Sequence, residues 1–358
     1  MSKEYMIPVF VPYSKEQKKY IFNDTKSKDK KEGNKIDIKT IEKQIEKNLK
    51  NINDNDGQKE IIFYGGNFTS LNVEIQEEIL KSMLKYIEEK EINSVTISAN
   101  PTEIDKETIK RLKKYKVKSI DLEALSTNDY ILKRARVNYK FKDIKSASKL
   151  IRWNRFNLNY KVIVGLPEST RIDEINTAKT LIKLKPKSVK VYPMLVTKGT
   201  RLEDYYNKQR YEPLTMIQAI ERCKTIVRMF ADKKIEISAI GIKNIEDIFN
   251  KENGEDDIVA GPFHQNFRKL VETEMWYDAI LEKIKKLNMK VKEVTVSVNP
   301  IDKENVIGQD KSNIKKLKEL YEVNLKIKPD ENIAQGKLKI EDVKEYNDFL
   351  EWHIKKTI

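Results

Sequence analysis

Cysteine is almost absent from the 358 residues: Cys223 stands alone. That count excludes an internal disulfide and leaves any zinc or iron-sulfur site short of thiolates. No run approaches the roughly eighteen consecutive apolar residues that a membrane span needs, so no membrane partner is expected. The segment Met1 to Val11 has no signal-peptide layout, and a cytoplasmic location is expected. Histidine is nearly as scarce, at two; His264 and His353 are too far apart in sequence to imply a pair, and each reads as structural or exposed. Arginine supplies only 11 of the 70 basic residues.

Lysine supplies the rest and brings the formal charge to +14, which favours anionic partners through long-range attraction. The lysines are spread through a chain also rich in isoleucine and asparagine, as genome composition alone can produce. A solvated surface is therefore favoured over a dedicated nucleic-acid face. The 39% hydrophobic content suffices for one large domain or two smaller ones with real cores.

Ile38, Ile41, Ile45, Leu49 and Ile52 repeat at helical spacing and define a lysine-rich surface helix. The run Glu60 to Tyr64 then stops at Gly65-Gly66, as a buried strand does before a tight backbone approach. A helix carrying Val73, Ile79, Leu80, Met83, Leu84 and Ile87 follows. Strands are expected near 95–98, 117–122, 160–164, 189–192 and 235–240, with helices between them. Such alternation predicts an α/β fold with a parallel sheet; doubly wound and barrel forms both satisfy the pattern, and in either the residues just after each strand meet ligands. After Ile242 the rhythm breaks, and a helix through Trp276 and Ile284 follows. From Val294 a small α+β module begins: a strand, a turn at Asn299-Pro300, a helical stretch from Val306, strands at 324–328 and 337–340, and a final helix carrying Val343, Tyr346, Phe349 and Leu350.

The strand ends carry a resemblance. Tyr64-Gly65-Gly66-Asn67-Phe68-Thr69 resembles the Tyr-Gly-Gly-Thr-Phe-Thr of radical S-adenosylmethionine (SAM) proteins of the Elongator-subunit-3-like group. Ser98-Ala99-Asn100-Pro101 resembles that group's Ser-Thr-Arg-Pro, Glu123 to Ser126 its Glu-Gly-Ala-Gln-Ser region, and Gly165-Leu166-Pro167 its Gly-Leu-Pro turn. Val191-Tyr192-Pro193, Leu195-Val196, Gly199-Thr200, Leu202, Tyr211 and Pro213-Leu214 follow in the group's order and spacing. Ala260 to His264 and Leu270-Val271-Glu272 are similar to a segment of bacterial stand-alone members. The resemblance covers residues 7 to 280 and implies a radical-SAM-type partial (β/α) barrel over 1–245; the changes of pattern after it make 246–292 a helical connector and 293–358 a separate module.

It fails at one place. These enzymes hold a [4Fe-4S] cluster on three cysteines after the first strand, here Pro8 to Val11; the loop that follows has Glu16, Tyr20 and Asn23 at those positions, although Phe22 and Asp24 fit the flanking pattern. No cluster is expected, and one carboxylate with two neutral oxygens makes a poor cage for a hard metal. Leu125 and Lys161 replace glutamines and Ala239 an arginine at positions the resemblance turns toward the cofactor. Lys161 places a cation beside a sulfonium. Gly65, Gly66, Ser98 and Glu123 remain as SAM-pocket residues: the glycine pair as backbone amides for a ligand carboxylate or as a tight turn, Ser98 and Glu123 as partners of a ribose or amine or as helix caps.

Val306-Ile307-Gly308-Gln309-Asp310-Lys311-Ser312-Asn313-Ile314 resembles the Val-Ile-Gly-x-x-Gly-x-x-Ile of KH domains. Such modules pack a two-glycine loop against single-stranded nucleic acid, which makes Gly308 and Lys311 RNA-binding candidates; Lys311 stands at the second glycine position. A purely structural βααββα cap is the other reading. The function expected is that of a catalytically inactive radical-SAM-fold protein associated with RNA, a protein partner or a catalytic paralogue. The alternative is a SAM-binding or otherwise non-radical enzyme using the barrel mouth in tRNA modification.

Overall fold

The run Glu60 to Tyr64, expected as a buried strand, lies within β2 (Gln58–Tyr64), whose Ile61, Ile62 and Phe63 are buried. In this computed structural model, which describes residues 4–11, 20–22, 37–52, 57–89, 91–242, 257–287 and 289–345, β2 pairs in parallel with β1 (Glu4–Phe10). To these are added β3 (Ser94–Ala99), β4 (Ser119–Glu123), β5 (Asn157–Val164), β6 (Ser188–Pro193) and, after the short β7 (Val196–Thr197), β8 (Glu236–Ile240). All pair in parallel in the order β1-β2-β3-β4-β5-β6-β8. The sheet is a curled half-barrel with crossover helices, the α/β architecture the alternation and the resemblance imply.

The crossovers are α1 (Ile38–Lys50), α2 (Val73–Glu88), α3 (Lys106–Lys114), α4 (Asp129–Arg134), α5 (Phe141–Trp153), α6 (Arg171–Lys183), α7 (Arg201–Asn207) and α8 (Met216–Ala231). Their starts follow capping chemistry: Asp37 accepts from Lys39 N and Asn72 from Glu74 N, while Thr170/Asp173 and Thr215/Gln218 close reciprocal capping boxes. The helices cover one face of the sheet. Tyr160 of β5 meets Ser148 of α5 at 2.7 Å on that face, and Ile97, Leu122, Val162 and Val191 are buried there.

Contacts divide the chain into two units, Met1–Gln265 and Asn266–Ile358. The helix expected within the connector, α9 (Phe267–Lys286), lies in the second unit, where Tyr277, Ile280 and Ile284 join Val294, Val296, Val306, Leu317 and Leu325 in one core. The short α10 (Lys303–Ile307) and α11 (Ser312–Tyr321) pack with them. The sheet runs β11 (Asn324–Pro329), β10 (Val291–Val298), β12 (Leu338–Glu345), parallel on one side of β10 and antiparallel on the other. One expectation is corrected here. Val343, expected in a final helix, lies in β12 together with Glu341, because Val343, Ile340 and Leu338 pack against the core in strand register with β10; Tyr346, Phe349 and Leu350 lie outside the described residues.

Candidate functional site

Strand alternation makes the face opposite the helices unusually polar. Ser94, Thr96 and Ser98 of β3, Asp121 and Glu123 of β4, Asn159 and Lys161 of β5, and Lys190 of β6 stand in neighbouring registers. At its deep centre Lys190 Nζ meets Asp121 Oδ2 at 2.5 Å, with side-chain exposures of 7% and 1%, and Asn159 Nδ2 donates to Asp121 Oδ1 at 3.0 Å. The pair spans β5. Burial opposes the Asp121 carboxylate, but the Lys190 and Lys161 charges and the bonds it accepts outweigh that and hold its pKa below the usual value. The same pairing overcomes burial to raise that of Lys190.

Nearer the strand ends, Lys161 Nζ lies 2.6 Å from Ser98 Oγ. Burial and the Lys190 charge push the Lys161 pKa down, against the pull of Asp121 and Glu123. Direct contact with a carboxylate thus distinguishes Lys190 from Lys161. Glu123 accepts from the Tyr20 hydroxyl at 2.6 Å, and Asn100 Nδ2 donates to the Tyr20 oxygen at 2.8 Å and to Asn138 Oδ1 at 2.9 Å. Burial raises the Glu123 pKa, with the Tyr20 bond and Lys161 counteracting it. Tyr20 itself is 2% exposed, and burial together with Glu123 raises its pKa far above the ordinary tyrosine value.

Of the residues singled out in the sequence, Ser98 and Glu123 come together at this mouth, each engaged by another side chain of the protein. Gly65 follows β2 with φ +103°, and a Cβ there would fall 2.2 Å from the Val11 carbonyl oxygen. Its glycine is explained by the close approach of β1's end; Gly66 lies beside it. Tyr20 lies at the mouth, whereas Glu16 and Asn23 lie outside the described residues. Leu125 is buried, and Ala239 pairs in register with Lys190. Sequence reading missed Asp121, Asn159, Lys190 and Asn100. The signal existed: Ile120-Asp121-Leu122 and Val189-Lys190-Val191 each set one charge between two apolar strand residues.

The motifs retained from the family pattern bind one another. Tyr211 donates to the Gly165 carbonyl at 2.8 Å, and a Cβ on Gly165 would meet Leu214 at 2.9 Å. Glu174 accepts from Gly165 N at 2.7 Å and from Arg222 Nε at 2.7 Å. Gly199 N donates to Glu203 at 2.7 Å, and β7 pairs with β9 (Ile258–Ala260). In the second unit, Gly308 has φ +78° and is buried, and a Cβ on it would meet Ser312 Oγ at 2.2 Å and Thr273 Cγ2 at 2.9 Å. Lys311 is exposed with φ +61°, directly after Asp310 at +51°.

The radical SAM superfamily model matches residues 24–181, and the radical SAM C-terminal domain model matches 186–277. The chain belongs to the radical SAM superfamily. An uncharacterized protein of Methanocaldococcus jannaschii is 31% identical over 185 residues, 50% of this chain and 56% of that protein. The tRNA uridine(34) acetyltransferase of Methanocaldococcus infernus is 24% identical over 186 residues, 45% of this chain and 34% of that protein. The chain thus spans about half or less of the curated relatives it matches. Among solved structures, the Elp3 of Methanocaldococcus infernus lacking residues 1–46 superposes with TM-score 0.58 at 18% identity, over 79% of this chain and 64% of that one; the likeness is one of fold.

The superfamily normally uses SAM and a [4Fe-4S] cluster. The donors of this radical SAM chain do not fit the cluster, which needs thiolates. Cys223 is its one cysteine; it is buried within α8, and burial pushes its thiol up, away from thiolate. Among the described residues no three His, Cys, Asp or Glu side chains gather as a metal site, and no helix is long and apolar enough to cross a membrane.

Proposed function

We propose that this chain is a radical-SAM-fold protein that works without a [4Fe-4S] cluster and without radical chemistry, in association with RNA. The observation that carries the reading is Tyr20. Standing where the family resemblance puts a cluster cysteine, its phenol is buried and bonded to Glu123 and Asn100, so the segment that would deliver a ligand to iron delivers a side chain that closes on the protein itself. Retention of motifs that pack against one another, beside replacement of Gln, Gln and Arg by Leu125, Lys161 and Ala239, supports the same reading.

Association with RNA is supported by the +14 charge, by relatives named as tRNA uridine(34) acetyltransferases, and by the Gly308–Lys311 loop. Lys311 adopts the left-handed backbone that a glycine favours, as expected for a loop whose pattern has glycine at that position. A basic side chain there adds an attraction for phosphate. SAM binding is expected to be weak, because the iron that would chelate its methionine end is missing and Lys190 places a buried cation on the polar face.

Anaerobic reconstitution with iron and sulfide tests the first half. The expected result is protein that leaves a desalting column colourless and makes no 5′-deoxyadenosine from SAM; stoichiometric retained iron and sulfide with broad visible absorbance would overturn the reading. Calorimetry with SAM is expected to show a dissociation constant weaker than about micromolar.

A further inference from the structure

The two lysines of the polar face are not equivalent. Lys190 has what a buried lysine ordinarily has, a carboxylate at 2.5 Å. Lys161, on the neighbouring strand and in direct register with both Lys190 and Glu123, has none: among the described residues its hydrogen bond is to a neutral hydroxyl, Ser98 Oγ at 2.6 Å. Asp121, which could have paired with it, is taken by Lys190 and Asn159, and Glu123 is taken by Tyr20. Lys161 is also half-buried rather than sealed, toward the carboxyl end of β5, where ligands of such sheets bind.

A buried amine whose direct hydrogen bond goes to a neutral hydroxyl, with the nearby carboxylates engaged by other side chains, is held toward the neutral form in which lysine is a nucleophile. We propose that Lys161 is a reactive amine that forms a reversible imine with the carbonyl carbon of a small aldehyde or ketone admitted at the barrel mouth. The Nζ lone pair forms the C–N bond and the carbonyl oxygen takes up a proton, giving a carbinolamine. Loss of that hydroxyl as water, with the second amine proton released, leaves the C=N bond; no oxidant or reductant enters. Glu123, whose pKa burial raises, stands on the adjacent strand as the group able to hand over and retrieve the proton. The charged and titratable groups facing Lys161 are Asp121 and Glu123 from β4 and Lys190 from β6, and they bear on its protonation in opposite senses. This inference is independent of RNA binding and needs no cluster.

The test uses the full chain with propanal and sodium cyanoborohydride near neutral pH, followed by peptide mass mapping. Lys161 is expected to be alkylated at least several-fold faster than the exposed lysines, while Lys190 in the same digest stays unmodified. Its labelling should also reach its plateau at lower pH than that of the exposed lysines. Labelling that follows exposure, with Lys161 no faster than its surface counterparts, would overturn the proposal. In Lys190→Met, Asp121 is released to pair with Lys161; labelling of Lys161 should slow and its pH midpoint rise, whereas an unchanged rate and midpoint in the folded variant would count against the electrostatic account. Because the main comparison is made within the unmodified protein, it stands even where that variant does not fold.

Discussion

Two glycines with left-handed backbone separate steric need from conformational preference. At Gly65 a methyl group would sit 2.2 Å from the Val11 carbonyl oxygen, while at Gly199, with φ +77°, nothing lies within 4 Å. Gly65→Ala is therefore expected to cost about 2–4 kcal/mol, as strain plus displacement of β1's end, and Gly199→Ala only about 1 kcal/mol; urea melts of the two variants check the contrast. Tyr20→Phe removes the hydroxyl that Glu123 accepts from and should cost about 1–3 kcal/mol. Its pH dependence has a definite sign. The folded pKa of Glu123 is raised, so the folded state binds more protons than the unfolded one between the ordinary glutamate value and the folded value, and stability falls as pH rises through that window. Losing a bond to the charged form raises the folded value further. The deficit of Tyr20→Phe should thus be larger at about pH 8 than at about pH 5, and a deficit that shrinks as pH rises would contradict the assignment.

Between elements, the Asp121–Lys190 pair ties β4 to β6 across β5 at the deepest level of the polar face. Asp121→Asn leaves the buried Lys190 ammonium without its carboxylate and should cost about 3–5 kcal/mol; Lys190→Met should cost less, because the freed Asp121 carboxylate still feels the Lys161 charge. The double variant Asp121→Leu/Lys190→Met should cost less than the sum, since it strands neither charge. The folded pKa of Asp121 is depressed; its contribution is present above the ordinary aspartate value of about 3.9 and is lost as pH falls through the folded value. Acid melts should therefore separate the parent protein from Asp121→Asn least at the lowest pH. The helices gather on the apolar face of the sheet, because burying charged side chains against them would be costly.

For the whole chain, the expectation is binding of single-stranded RNA that weakens steeply with salt, as release of counterions demands. Lys311→Glu puts a carboxylate at the exposed loop position and should weaken binding, whereas Glu341→Lys, on the exposed side of β12, should not. Fluorescence polarisation with a mixed single-stranded RNA pool at two salt concentrations reads both. Binding unaffected by Lys311→Glu would take the loop out of the function, and no binding at low salt would leave a protein partner as the better assignment.

The alternating α/β order, the parallel sheet, the superfamily and the want of thiolates are legible in the residues alone, because period, crossover length, strand-end motifs and a residue count are all local. The sequence placed Ser98, Glu123 and Lys161 near one mouth through the family pattern. It did not separate Lys161 from Lys190, because which lysine holds Asp121 depends on the registers of β4, β5 and β6 together. Nor did it assign Tyr20 to Glu123, a contact across 103 positions. At the far end of the chain, Val343 continues strand β12 rather than a helix because pairing with β10 supplies backbone bonds and an apolar face that helical spacing alone could not foresee. Tertiary structure decided these points for one physical reason: the energy of a buried charge or a strand edge is set by its partner, and the partner lies far away in sequence.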